Sequence, residues 1–201
     1  MEIRKTQLQP DQFFHIYNRG INGSPVFFEE KNYRYFLQQY TKYVFPFVQT
    51  YAYCLLENHY HLLIKVRSEE SLDLHLKKYP NKPFSWYVSN AFSSFLQSYT
   101  RAVNKMYDRT GPLFEKPFKR IQVTNDSYFS ALITYIHRNP EKHGIVHDFR
   151  KYAHSSYHTH LGNGETKLER SEVLEWFGDE KSYSKFHESQ SSKIHKEWML
   201  E

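Results

Sequence analysis

Two histidines one residue apart, His59 and His61, head the run HYHLLIKV, which ends at Val66. Successive side chains of a strand point to opposite faces, so both imidazoles share one side while Tyr60, Leu62, Ile64 and Val66 take the other. Paired neutral imidazoles suit a divalent cation. The same spacing also serves histidines in solvent or in a hydrogen-bonded core, and spacing alone leaves both readings open. A second H-x-H pair, His158 and His160 in SSYHTHLGNG, has no strand pattern to hold it and reads as a decoy.

A phenol and a carboxamide form the other pair of interest. Phe129, Leu132, Ile133 and Ile136 recur at i, i+3, i+4 and i+7, the stripe of a helix resting on a sheet. At about 100° per residue Tyr135 falls roughly 120° from the centre of that stripe and is expected outside the core. Asn139, one turn later, shares its face. The helix should open near Asn125 or Asp126 as N-cap and end at Asn139, because Pro140 disfavours helical geometry in the residue before it. Taken alone, these two residues read as a surface tyrosine and a C-cap.

The elements that must position these residues can be read from periodicity and breakers. FFHIYNRG, residues 13–20, is a first strand closed by a glycine turn, and residues 29–44 form a helix with Tyr33, Phe36, Leu37 and Tyr40 at helical spacing. FVQTYAYCLLE and HYHLLIKVR make two strands separated by Glu57 and Asn58, which read as an antiparallel hairpin turn or a bulge. A proline-bearing loop or short irregular helix follows, then a long helix over residues 86–107, a strand over 118–123, and the helix carrying Tyr135. Strands and helices in the order β, α, β, β, α, β, α predict an α+β fold, a ferredoxin-like or RRM-like antiparallel sheet with helices packed on one face. Residues 165–201 turn acidic, with nine Asp and Glu against six Lys and Arg, and are expected to add one or two short amphipathic helices. The expected organisation is a main domain over residues 1–164 and an accessory helical tail over 165–201.

At 201 residues the chain can bury one sizeable core, and its 17 Tyr, 16 Phe and 3 Trp against 7 Gly argue for a folded protein. The lone cysteine, Cys54, excludes an intramolecular disulfide and most thiolate zinc sites. No run approaches the roughly 20 apolar residues of a membrane span, and the first twelve residues lack an apolar segment, so a cytoplasmic protein without membrane contact is expected. The formal charge of +5 favours polyanions only where the cations cluster. They do so in one place: Arg101, Lys105, Arg109, Lys116, Lys119 and Arg120 stand against Asp108 and Glu115, with Tyr107, Phe114 and Phe118 interleaved. Phosphate contacts plus stacking faces are what single-stranded nucleic acid needs; the competing reading is a solvated face followed by core aromatics.

The segments NHYHLLIKV, YIHRNPEKHGIV, FFHIYNRG and RTGPLFEKPFKRIQV together resemble the HUH single-tyrosine transposases, most closely the REP-associated tyrosine transposases, from about Phe13 to about Tyr157. The resemblance implies an HUH-type fold and a metal-dependent DNA nickase and strand transferase, in which His59, His61 and Asn139 hold a divalent ion and Tyr135 attacks DNA. It also adds Arg19 to the DNA-binding cations. The middle position of the HUH motif is usually a bulky aliphatic; here it is Tyr60, whose hydroxyl must find a partner.

A phenol with a pKa near 10 is a poor nucleophile at neutral pH, and a phosphodiester repels anions. A cation that neutralises non-bridging oxygens answers both, and a nitrogen and oxygen ligand set without thiolates suits Mg²⁺ or Mn²⁺. Attack would leave a 5′-phosphotyrosine and a free 3′-hydroxyl, able to reverse or rejoin without a nucleotide cofactor. The expected partner is single-stranded or hairpin-containing DNA, with the protein a monomer or homodimer. The rival is a non-catalytic nucleic-acid binder on the same kind of sheet, which would need exposed aromatics on the central strands. A metal-dependent phosphoesterase without a covalent step is a third reading.

Overall fold

The first strand of the computed structural model, β1 (Phe13–Arg19), lies inside a four-stranded antiparallel sheet with β2 (Val48–Leu56), β3 (His59–Val66) and β4 (Lys119–Val123) in the order β2-β3-β1-β4. Residues 6–189 are described. The helices are α1 (Glu30–Tyr43), α2 (Asp73–Leu76), α3 (Phe84–Met106), α4 (Asp126–Lys142), α5 (Tyr157–Leu161), α6 (Arg170–Phe177) and α7 (Glu180–Ser189). The chain is α+β with the ferredoxin-like alternation read from the sequence.

The two crossover helices α1 and α3 share one face, burying Phe36, Tyr40, Phe92, Phe95 and Tyr99 against Phe14, Ile16, Tyr60, Leu62 and Ile64 of the central strands. The preference for right-handed crossovers places both connections on the same side. Here the expectation of helices on one face needs correcting. The alternate strand residues Tyr51, Cys54, Leu56 and Leu63 pack instead with Phe129, Leu132, Ile133 and Ile136 of α4. A sheet with apolar residues on both sides must be covered twice, and α4, following edge strand β4, supplies the second cover.

The strip of α4 that meets the sheet is wider than its apolar stripe. The stripe lies over β2, while Tyr135 lies on the same side over the neighbouring strands, its ring centroid 5.6 Å from that of His61 and 6.2 Å from that of His15. Tyr135 is therefore buried, not a surface residue, because one helix crosses several strands. The helix also continues to Lys142 with Pro140 inside its last turn. The proline removes one amide donor there, and the turn is closed instead by His143 N–H to the Asn139 carbonyl at 3.0 Å and Ile145 N–H to the Pro140 carbonyl at 2.9 Å. At the other end Asn125 caps the helix as expected, accepting from the Tyr128 amide at 2.8 Å.

The part of the acidic segment that is described forms α6 and α7, whose Val173 and Tyr183 join the α4 side of the core. No described helix is long and apolar enough to cross a membrane.

Candidate functional site

Pairing of β1 with β3 sets Tyr17 opposite His61 and Arg19 opposite His59, so Phe13, His15, Tyr17 and Arg19 share the sheet face of the two histidines. The hairpin turn Glu57-Asn58 is pinned by the chain leaving β1: Gly20 N–H donates to the Asn58 carbonyl at 2.8 Å and Val26 N–H to the Glu57 carbonyl at 2.8 Å. Gly20 has to be glycine for this turn, because a Cβ there would stand 1.9 Å from the Ser24 carbonyl oxygen. The result is a cleft of about 690 Å³ between the β1 and β3 ends and the C-terminal end of α4, with Tyr17, Arg19, Asn58, His59, Lys119 and His143 on its walls.

The structure brings the four residues His59, His61, Tyr135 and Asn139 together. The rings of His59 and His61 stand 5.2 Å apart and nearly perpendicular. His59 Nε2 lies 3.4 Å from Asn139 Oδ1, and His59 Nδ1 lies 2.6 Å from Asn58 Oδ1. Asn58 Nδ2 donates to the Gly23 carbonyl at 3.2 Å, which fixes the side-chain oxygen toward His59. The Nδ1 of His59 is thus a protonated nitrogen, and its Nε2 faces the side-chain amide of Asn139. Neighbouring ligand atoms on a small divalent cation are about 3 Å apart, so this pair fits such an ion. The amide nitrogen of Asn139 has no hydrogen-bond partner among the described residues. Among the described residues no group of three or more His, Cys, Asp and Glu side chains is placed for a metal; the set here is two imidazoles and an amide.

Burial separates the members. His61 and Tyr135 are each 1% exposed and Asn139 is fully buried, beneath the cleft, whereas His59 is half-buried at its wall. Above Tyr135 sits Lys142, its Nζ 3.5 Å from the phenolic oxygen and 4.9 Å from the ring centroid. Tyr135, Asn139, Lys142 and His143 are i, i+4, i+7 and i+8, one face of α4. Tyr60 packs on the opposite sheet face, fully buried, and its hydroxyl has no partner among the described residues; burial raises that phenol's pKa.

Sequence reasoning missed five contributors. His15 Nε2 lies 2.9 Å from His61 Nδ1, and the His15, His61 and Tyr17 rings are stacked. His143 faces His59 with ring centroids 4.9 Å apart. Asn58 and Lys142 complete the list. The strand period already put His15 and Tyr17 on one face, but only the β1–β3 register says that it is the face of the histidines; Lys142 and His143 were open to the helical spacing used for Asn139.

The expected DNA-binding cations divide. Arg19 pairs with Glu115 at 2.5 Å at the cleft wall, and Lys119 lies over the Tyr17 ring. Arg120 points to the other side of β4, donating to Ser89 Oγ at 3.0 Å over the Phe118 ring. Arg101 and Lys116 are exposed near it, Lys105 is exposed on the α1 side of α3, and Arg109 stacks on Phe28. The interleaved aromatics are not stacking platforms: Phe114 and Phe118 are core residues, and the Tyr107 hydroxyl is held by Glu29 and Asn32. His158 and His160 lie on α5, the first exposed and the second buried, so they share no surface. The central-strand face on which an RNA-recognition module would stack bases is covered by α4.

No family model matches the chain. A candidate REP-associated tyrosine transposase of Haemophilus influenzae is 26% identical over 118 residues, covering 57% of this chain and 61% of that protein, so the match spans less than two thirds of the relative's length. The solved structure of a REP-associated tyrosine transposase bound to a REP hairpin superposes with a TM-score of 0.58 at 15% identity, over 82% of this chain and 92% of that one, and shows the same fold. A bacterial tRNA(His) guanylyltransferase-like protein in complex with GTP aligns at a TM-score of 0.42 and 12% identity, over 71% of this chain and 68% of that one, a likeness that carries no argument.

Proposed function

We propose, from the premise that this chain is a relative of the REP-associated tyrosine transposases, that it cuts and rejoins single-stranded or hairpin-bearing DNA through a covalent bond to Tyr135. The observation that carries the reading is the convergence of one helix face on one strand pair: α4 sets Tyr135 and Asn139 over His59 and His61. The solved relative bound to a REP hairpin supports DNA as the partner. A water-dependent phosphoesterase would have no need of a tyrosine held in that position.

In this reading His59, His61 and Asn139 hold Mg²⁺ or Mn²⁺, which when bound neutralises the phosphate's non-bridging oxygens and draws electron density from phosphorus. The chain's own groups do the rest. Asn58 fixes the tautomer of His59; His61, donating from Nδ1 to His15 Nε2, has its own Nε2 as the ligand atom. Arg19 and Lys119 flank the cleft and take the neighbouring phosphates. The Tyr135 oxygen bonds to phosphorus as the bond to the 3′-oxygen breaks; the phenolic proton leaves, and the 3′-oxygen ends as a hydroxyl. Because Tyr135 sits below the cleft under Lys142, the entering strand must displace that exposed side chain to reach it.

The test is a denaturation-resistant adduct. Wild-type protein with Mn²⁺ and a pool of labelled hairpin-bearing oligonucleotides should yield a covalent complex carrying the DNA on the 3′ side of the cut, with mass spectrometry placing the nucleotide on Tyr135. Tyr135→Phe should bind DNA and form none, since the positional advantage of an attached nucleophile is worth up to about 7 to 11 kcal/mol. Nicking that persists in Tyr135→Phe would assign the chemistry to water or to another residue.

A further inference from the structure

The long helix α3 has no carboxylate in its 23 residues, although the chain has 22 Asp and Glu. One side is core, burying Tyr87, Val88, Phe92, Phe95, Tyr99 and Val103. Along another, Ser89, Ser93, Thr100 and Arg101 recur near helical spacing and form one wall of a groove of about 850 Å³, closed on its far side by Lys116 and Arg120. From Ser89 to Arg101 this wall runs about 18 Å at 1.5 Å per residue. A merely solvated helix face mixes both charge signs and favours good helix formers. Serine and threonine are poor ones, so a stripe of them spends helix propensity on hydroxyls.

We propose that this groove binds the sugar–phosphate backbone of nucleic acid, as a second contact outside the cleft. Hydroxyl groups and guanidinium ions are the side chains that phosphate and sugar oxygens accept from. Arg120 supports the reading: held by one bond to Ser89 and stacked on Phe118, its guanidinium is fixed at the groove wall, where a phosphate would meet a pre-positioned cation. The groove's one carboxylate, Glu115, is already paired with Arg19 of the cleft wall. That ion pair and the neighbouring residues Lys119 and Arg120, on opposite faces of β4, make groove and cleft adjoin around the sheet edge. One strand can engage both, so the bound DNA is held by its backbone beside the point where it enters the cleft.

The proposal rests on the reading of the chain as one that acts on DNA, and binding alone tests it. A fluorescein-labelled DNA hairpin with single-stranded flanks is titrated in EDTA, where no cutting occurs, at several salt concentrations. Arg101→Ala, Lys116→Ala and Ser93→Asp should each weaken binding about three- to tenfold, and each lysine or arginine change should lower the log–log salt slope by roughly one. Thermal unfolding checks that each variant is folded, and the exposed Arg101→Ala decides if Ser93→Asp is not. Lys31→Ala with Arg34→Ala, exposed cations at the separate groove between α1 and α3, should leave affinity unchanged. Wild-type affinity in all three groove variants overturns the proposal, and so does an equal loss in the α1 control, which would reduce the effect to net charge. An adduct on Tyr135 without groove-dependent binding would sink the groove alone; groove-dependent binding without any adduct would sink the tyrosine alone.

Discussion

His59 carries its proton on the nitrogen facing Asn58, and that one bond decides what its other nitrogen can do. Asn58 is held by Gly23 in turn, so the orientation of the imidazole is set by the turn that ends the first strand. Removing the Asn58 side chain should free the ring to flip or to change tautomer while leaving the sheet intact. Asn58→Ala is expected to bind Mn²⁺ about 10- to 100-fold more weakly, the usual effect of losing an outer partner of a ligating histidine. Titration followed by electron paramagnetic resonance measures this independently of DNA cutting; an unchanged affinity would mean that His59 is not a ligand. At this scale the sequence was informative about the pair and silent about its supports. Alternation along β3 put His59 and His61 on one face, but the stacking of His15 and Tyr17 on His61 depends on which residue of β1 lies opposite which of β3. No local pattern encodes that register.

The element whose behaviour departs most from its sequence is α4. Its periodicity gave the stripe over β2 correctly, and the N-cap as well, yet it understated how much of the helix is buried. From Leu132 to Pro140 every residue is buried, since the side turned from the sheet is covered too. There His137 meets His160 of α5 and His187 and Tyr183 of α7. His187 Nδ1 donates to the Tyr183 carbonyl at 2.8 Å and accepts at Nε2 from His137 Nδ1 at 2.9 Å, while Ser156 Oγ lies 2.7 Å from His137 Nε2. This chain of bonds is satisfied with both rings neutral, the state that burial favours. Burial, the largest cause, lowers His187 to about 3 and His160 to about 4 and holds His137 well below the ordinary 6.5. The nearby charges do not relieve it: Arg138 donates to the His187 carbonyl and pairs with Glu141, and His158 is exposed. The unfolded chain therefore binds protons near pH 6.5 that the folded chain refuses. Stability is full above that pH and falls below it, toward the folded values near 4 and 3, by about 1.4 kcal/mol per pH unit for each such histidine. The melting temperature should drop steeply between pH 7 and 5, and His187→Asn should flatten the drop while lowering the neutral-pH value. A wild-type melting temperature that does not change over that interval would contradict the neutral cluster.

At the scale of the whole molecule the question is whether residues 165–201 are dispensable. Their acidic composition separates them from the basic remainder, which is why the sequence suggests an accessory tail; composition, however, reports on the exposed face of a helix and not on what its other face covers. In the fold, Val173, Tyr183 and His187 are all fully buried, the Trp176 ring packs tilted against Phe129 with centroids 4.5 Å apart, and the Tyr51 hydroxyl donates to Glu172 at 2.7 Å. Each large side chain buried there contributes about 1.5 to 3 kcal/mol, and the total stability of a domain of this size is about 5 to 15 kcal/mol. A chain ending at residue 164 should therefore lose a large fraction of its stability and expose Tyr51, Phe129 and His137 together. The expected outcome is a melting temperature lower by about 10 °C or more, or insolubility. The damage should extend to the cleft, because α4 carries Tyr135 and Asn139 on one side and rests on α7 with the other. Soaking the truncated protein in Mn²⁺ should recover less than the wild-type gain in melting temperature, the reading that separates a loosened α4 from a general loss of core. If the shortened chain melts with the full protein and gains as much from the metal, the tail is an appendage after all and α4 is held by the sheet alone.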